Sequence, residues 1–286
     1  MEYAKNWYKK GDALLKEIRQ ERAAENEVCL WFLGQAGFVI KTGPCIIYVD
    51  PILHDYTGGS GEKRLSPPPF PAGAVVDADC FVCTHNHHDH LNLETLLPQA
   101  RNNSKTLFAV PAPCTGILVE AGISRSRIIA AREGEAINLA GNVSIHPIAA
   151  AHSEYLSDNT GADFFLGYII ESNGTRVYHA GDGIVTERLL KTLEKYRPVN
   201  IAILPINGMD WERTAHGIIG NMNFQDAAKL ARAMDFDVTI PAHYDFLRGN
   251  TANPAHFAEV FYELCPEKKF HICALGECFV YRRHQL

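Results

Sequence analysis

Apolar residues in this chain gather into short runs whose spacing changes along the sequence. Residues 3–24 carry Leu14, Leu15 and Ile18 on one side of a charged stretch, which predicts an amphipathic helix. The runs VCLWFL, GFVIKT and CIIYVD then follow, rich in β-branched and aromatic residues and separated by glycine-bearing turns. They predict consecutive antiparallel strands. Residues 54–76 are rich in Gly, Pro and Ser and read as a long loop, a kind of segment that often serves function. DCFVCT predicts a strand, LNLETLLPQA a helix, TLFAVP a strand and PCTGILVEAG a helix.

From residue 127 the pattern returns to strands. RIIAA, EAINL, NVSIHPIAA, DFFLGYIIES and TRVYHAG are followed by the helix IVTERLLKTLEKY. The strand VNIAILPI, the helix NFQDAAKLARAM with Asn223 as N-cap, the strand DVTIPAH and the helix PAHFAEVFYELC come next, and FHICAL and CFVYR close the chain as strands. A run of strands leading into alternating helix and strand thus occurs twice. That predicts a layered α/β architecture of two β-rich halves with helices outside and one continuous core. The expected division is an N-terminal helical extension over residues 1–26 and a single catalytic domain over 27–286.

Composition narrows the class. The 286 residues are 47% hydrophobic and 21% charged, enough for a sizeable core. A net charge of −6 offers no general attraction to nucleic acid or to an anionic membrane. No apolar leader and no run approaching the roughly 18–20 residues of a membrane span is evident, so a cytoplasmic protein is expected. The eight cysteines mostly sit inside apolar runs and read as buried thiols. Cys80 and Cys83 form a CxxC, but three residues apart in a strand they face opposite sides and grip one metal poorly.

The chemistry concentrates in CTHNHHDHLN, residues 83–92, which holds four of the 13 histidines. Its pattern is H-x-H-x-D-H: His85, His87, Asp89 and His90, with Asn86 and His88 as spacers. In an extended loop His85 and His87 point to one side and can share a metal, and Asp89 and His90 on the turn beyond can serve a second. Imidazole nitrogen with carboxylate oxygen suits Zn²⁺, Mn²⁺ or Fe²⁺. Four other apolar runs end in a His or Asp: Asp50, His152, Asp182 and His243. Singly each reads as a turn or cap residue. Together with the cluster they point to ligands held on a rigid frame of strand ends.

The ordered motifs VDP, THNHHDH, AAHS, HAGD and PAHYD resemble the metallo-β-lactamase superfamily over roughly residues 28–282. LWFLGQAGFVIKT, the preceding helix, YHAGD and VTIPAHYDF resemble its L-ascorbate-6-phosphate lactonase branch and the neighbouring metal-dependent hydrolases. The resemblance implies a four-layer αβ/βα sandwich with two divalent metal ions at one edge, Zn or Mn with Fe as a third candidate. It implies His85, His87 and His152 as ligands of the first ion and Asp89, His90 and His243 of the second. Asp182 would bridge, and Asp50 would orient ligands from behind. The resemblance thus makes Asp50, Asp89 and Asp182 the expected catalytic carboxylates.

The implied reaction is hydrolysis, by a water whose pKa two bridged ions lower toward neutrality. A lactone of a sugar-acid phosphate, or a similar small anionic ester, is the expected substrate. Lys63, Arg64, Arg213, His216 and Arg248 are the candidate groups for gripping it. No nucleic acid or membrane is expected as partner, and any association would be with copies of the chain itself. A phosphodiesterase or nuclease, and a non-catalytic metal-binding protein, are the competing readings.

Overall fold

The structure, a computed structural model, describes residues 6–59 and 61–283. Its strands are β1 (Glu27–Phe32), β2 (Phe38–Thr42), β3 (Cys45–Val49), β4 (Cys80–Val82), β5 (Leu107–Pro111), β6 (Ile128–Ala131), β7 (Ile137–Asn138), β8 (Val143–Ala149), β9 (Leu166–Ser172), β10 (Thr175–His179), β11 (Ile201–Pro205), β12 (Val238–Ala242), β13 (Lys269–Phe270) and β14 (Cys278–Arg282). The helices are α1 (Gly11–Gln20), α2 (Leu93–Asn102), α3 (Thr115–Glu120), α4 (Glu187–Glu194), α5 (Trp211–Ala215), α6 (Phe224–Met234) and α7 (Pro254–Leu264).

The strands form two 7-stranded sheets, ordered β14-β1-β2-β3-β4-β5-β6 and β13-β12-β11-β10-β9-β8-β7. In the first, β1, β2 and β3 pair antiparallel, and β3 to β6 pair parallel. The second repeats the scheme: β7 to β10 are antiparallel and β10 to β13 parallel. This is the duplicated layout the apolar runs predict. The sheets belong to one buried cluster. Phe38 of β2 meets His179 of β10 edge-on at 5.9 Å, and the buried Tyr168 hydroxyl donates to the Cys83 carbonyl at 2.9 Å. Such a sandwich explains why β1 to β3 are apolar almost throughout rather than alternating: both faces are covered.

Parallel neighbours place their C-terminal ends at the same edge of a sheet. Asp50 follows β3, His85 follows β4, Asp182 follows β10 and His243 follows β12. One topological rule therefore carries four distant sequence positions to one place.

Helix α1 packs on the first sheet. Leu14, Leu15 and Ile18 are buried, each contributing about 1.5–3 kcal/mol. The Trp31 indole donates to Glu17 at 3.0 Å, and Lys41 caps the helix end by donating to the Ile18 and Arg19 carbonyls at 2.7 and 3.0 Å. Of the expected 3–24 helix, residues 3–5 lie outside the described residues, 6–10 and 21–24 are not helical, and the helix itself is Gly11–Gln20. Asn223 caps α6 as predicted, its side chain accepting from Gln225 and Asp226.

Two other elements differ from the sequence expectation. FHICAL contributes only its first residue to β13, because the chain then turns to cross to the first sheet, where the Gly276 N–H bonds Phe32. Helix α5 arises inside the 207–222 stretch, started by Asp210, whose side chain accepts from the Arg213 N–H. Cys80 and Cys83 are buried thiols, and burial pushes the Cys80 thiol up to about 12.

Candidate metal centre

Two groups of potential ligands meet at the shared edge. His85, His87, His152 and Asp182 form one; Asp89, His90 and His243 form the other. Within each group the ligand atoms all lie within 4.8 Å of one another. Asp182 lies between the groups. Its Oδ1 is 3.4 Å from the Nε2 atoms of both His90 and His243, and its Oδ2 is 3.6 Å from His152 Nε2. Asn86 and His88 are exposed and belong to neither group.

A chain of hydrogen bonds behind the site sets the imidazole tautomers. Asp50 is fully buried; it accepts from the Thr84 N–H at 2.8 Å and the Thr84 hydroxyl at 2.6 Å, and its Oδ2 lies 2.7 Å from His90 Nδ1. A carboxylate only accepts, so His90 Nδ1 carries a proton and Nε2 faces the site. The Thr84 hydroxyl has given its hydrogen to Asp50, so at 3.0 Å it accepts from His85 Nδ1. His85 Nε2 is then a bare lone pair, buried and without a partner. This is the arrangement in which an outer partner orients a metal-ligating imidazole.

Residues 46–244 match the family described as "Beta-lactamase superfamily domain". The chain belongs to this superfamily. Among curated relatives, "Probable L-ascorbate-6-phosphate lactonase UlaG" of Shigella boydii is 23% identical over 279 residues, covering 85% of this chain and 77% of the relative. Among solved structures, the metallo hydrolase Igni18 of Ignicoccus hospitalis is 22% identical with a TM-score of 0.68, covering 90% of this chain and 100% of that one. The isothiocyanate hydrolase from Delia radicum gut bacteria is 17% identical with a TM-score of 0.71, covering 89% and 100%. The fold is that of the metallo-β-lactamase superfamily of metal-dependent hydrolases.

The donor set fits divalent ions. His85 Nε2 and Asp182 Oδ1 are buried without hydrogen-bond partners, a costly state that an ion relieves. Burial is the chief cause holding the pKa values of His85, His87 and His152 below the usual histidine value, and it leaves them neutral as ligands must be. For Asp182 burial acts upward, but His243 and His90 outweigh it and hold the carboxyl well below its usual range. For His90 burial acts downward, and Asp182 and Asp50 reverse it to well above the usual value. An ion bound there would take the place of a proton on His90.

This superfamily member also holds its site with backbone in unusual conformations. Gln35, Asp50 and His243 all have positive φ, at 55°, 44° and 56°. Each costs about 1–3 kcal/mol, which the surrounding packing must offset. Gly220, at φ 83°, lies against His152; a Cβ there would stand 1.9 Å from His152 Nδ1. No other residue fits that approach.

The ligand groups open into a cavity of about 960 Å³. Of the five predicted groups Arg213 and His216 line it; the Arg213 guanidinium already donates to the carbonyls of Asn207 and Thr251, and His216 Nδ1 donates to the Glu212 carbonyl at 2.8 Å. Arg64 is buried, donates to the carbonyls of Ile52 and His54, and lies 5.1 Å over the Phe246 ring. These contacts hold it inside the fold, and it does not line the cavity. Lys63 and Arg248 are exposed beside the cavity without lining it. The rim instead carries Glu62, Glu154, Asp210 and Glu212.

Three residues at the site escape a reading of the sequence. Thr84 links Asp50 to His85 and His90. Phe165 lies 5.1–5.7 Å from the rings of His85, His87 and His152. The Gln35 side chain reaches the second group. The glycine on each side of the QA pair in LGQAG is the one trace of Gln35: it marks a sharp turn beside the site. His179, three residues before Asp182, donates from Nε2 to the Ala36 carbonyl at 2.8 Å and accepts at Nδ1 from the Gly181 N–H at 3.2 Å. It ties the HAGD turn to the opposite sheet.

Proposed function

We propose that this protein is a hydrolase that uses two divalent ions to open a lactone or a closely related small ester. The observation that carries the reading is Asp182, whose two oxygens face different histidine groups. Bound by His85, His87 and His152 on one side, by Asp89, His90 and His243 on the other, and by Asp182 between, the ions would supply an activated water and a Lewis acid. The chain's own residues do the rest. Asp50 and Thr84 hold the imidazoles in register, and Phe165 packs against the rings of His85, His87 and His152. Asp89, which lines the cavity, is placed to carry a proton toward a departing alkoxide. No Ser or Cys nucleophile is needed.

The similarity to lactonase UlaG supports the lactone. A sugar-acid phosphate such as L-ascorbate 6-phosphate is the narrower reading, and it meets a rim with four carboxylates and one engaged guanidinium. The same rim weighs against a nuclease, since phosphate backbones need cations. The test is turnover of matched lactones, phosphorylated and not, by protein stripped with chelator and reloaded with Zn²⁺ or Mn²⁺. Metal-dependent opening of either supports the hydrolase; equal, negligible turnover with and without metal on lactones and simple esters defeats it. Preference for the phosphorylated lactone selects the narrower reading.

A further inference from the structure

The side chain of Gln35 ends inside the second ligand group. Its Nε2 lies 2.8 Å from Asp89 Oδ2 and 3.3 Å from the Nε2 atoms of both His90 and His243. All three members of that group therefore converge on one amide. Gln35 is 1% exposed, and its Oε1 is buried with no hydrogen-bond partner. Its backbone is fixed at both ends: the N–H donates to Asp245 at 2.8 Å, and the carbonyl accepts from the His243 N–H at 2.7 Å. A left-handed φ of 55° aims the side chain, so the placement is enforced rather than incidental.

The distances say what the amide is. Two atoms bound to one ion, each about 2.1 Å from it, stand about 3.0–3.4 Å apart at right-angled or tetrahedral geometry. Separations of 2.8 and 3.3 Å are those of a fellow ligand, not of an atom standing where the ion would be. Asp182 Oδ1, at 3.4 Å from the same two imidazoles, has the same relation to them.

Without an ion the carboxylate of Asp89 can only accept, so the amide nitrogen faces it and the oxygen is left unpaired. Half a turn about the last side-chain bond exchanges the two.

We propose that Gln35 is a further ligand of the second ion, binding through Oε1 once the amide has turned over. This rests on the reading of Asp89, His90 and His243 as metal ligands. The second ion would then have oxygens from Asp89, Gln35 and Asp182 Oδ1 with two imidazoles, and the first would have three imidazoles and Asp182 Oδ2. The oxygen-rich pocket is the harder one and favours Mn²⁺ or Fe²⁺; the other favours Zn²⁺.

The experiment is metal titration of the stripped full chain with Zn²⁺, Mn²⁺ and Co²⁺, following stoichiometry by elemental analysis and coordination by the visible Co²⁺ spectrum. Gln35→Ala is expected to weaken the second ion by about tenfold or more while the first stays bound, and to shift the second Co²⁺ band toward lower coordination number. Gln35→Glu, which keeps an oxygen at the same reach, should restore binding, and this separates lost ligation from a folding defect. Two ions bound by Gln35→Ala with wild-type affinity and spectrum overturn the proposal, as does failure of Gln35→Glu to rescue. Wild-type protein that binds no ion at all overturns the metal centre itself, a distinguishable result.

Discussion

The two ligand groups share Asp182 yet are held by different forces. His85, His87 and His152 pack against one another, with ring centres 4.5 and 5.1 Å apart along the series, and around Phe165. Gly220 closes on His152 from the far side. Among these three only His85 has a side-chain hydrogen bond behind it, to Thr84. Asp89, His90 and His243 are instead fixed by polar contacts: His90 to Asp50, and all three to Gln35. The first group is positioned by shape and the second by hydrogen bonds. Shape tolerates changes of polarity and fails on added volume; hydrogen bonds do the reverse.

The largest expected effect that separates them is at Asp50. Asp50→Ala strips His90 of its orienting acceptor directly and reaches the first group only through Thr84 and His85, so it is expected to lower second-group metal affinity by about 10–100-fold and first-group affinity less. Elemental analysis after dialysis should find the content falling from two ions toward one. Loss of both ions together would show that the hydrogen-bond chain holds the whole site.

Gly220→Ala is the reciprocal probe. The added methyl collides with His152, so first-group affinity should fall about tenfold, with a stability loss of about 1–3 kcal/mol read from thermal unfolding. An unchanged first-group ion would mean that His152 is not held by that contact.

The smallest effect is in pH. The His90 pKa is raised above its usual value by Asp182 and Asp50, so below that value an entering ion must displace a proton, and affinity falls as pH falls. The pKa values of His85, His87 and His152 are lowered by burial, so these rings stay neutral to lower pH and their affinity holds over the same range. Dialysis in steps from about pH 8 to about pH 5.5 should therefore release the second-group ion first. Simultaneous release would contradict the contrast.

Much of this was legible in the sequence because strand ends are marked twice, by an apolar run and by the polar residue that stops it. Asp50, Asp182 and His243 carry both marks. The parts that were not legible lack periodicity. Gln35 sits alone in a turn. Phe165 reads as one more core residue of DFFLG, although its neighbours are candidate ligands. Helix α5 has no buried face, and Trp211 is 82% exposed, so no apolar stripe announces it. Arg64 misled for a related reason: a cation in a polar loop looks available until the carbonyls of Ile52 and His54 are found around it.

Strand β14 comes last among the strands yet completes the first sheet by pairing with β1. During synthesis, β1 therefore waits for nearly the whole chain with one row of backbone N–H and C=O groups unpaired. That waiting edge is Glu27–Phe32, whose residues from Val28 onward are buried and apolar in the finished protein, the kind of edge on which neighbouring chains stack. A chain cut before Cys278 would hold all its candidate ligand residues and leave that apolar edge uncovered. Pairing with β14 therefore covers an edge as well as adding a strand.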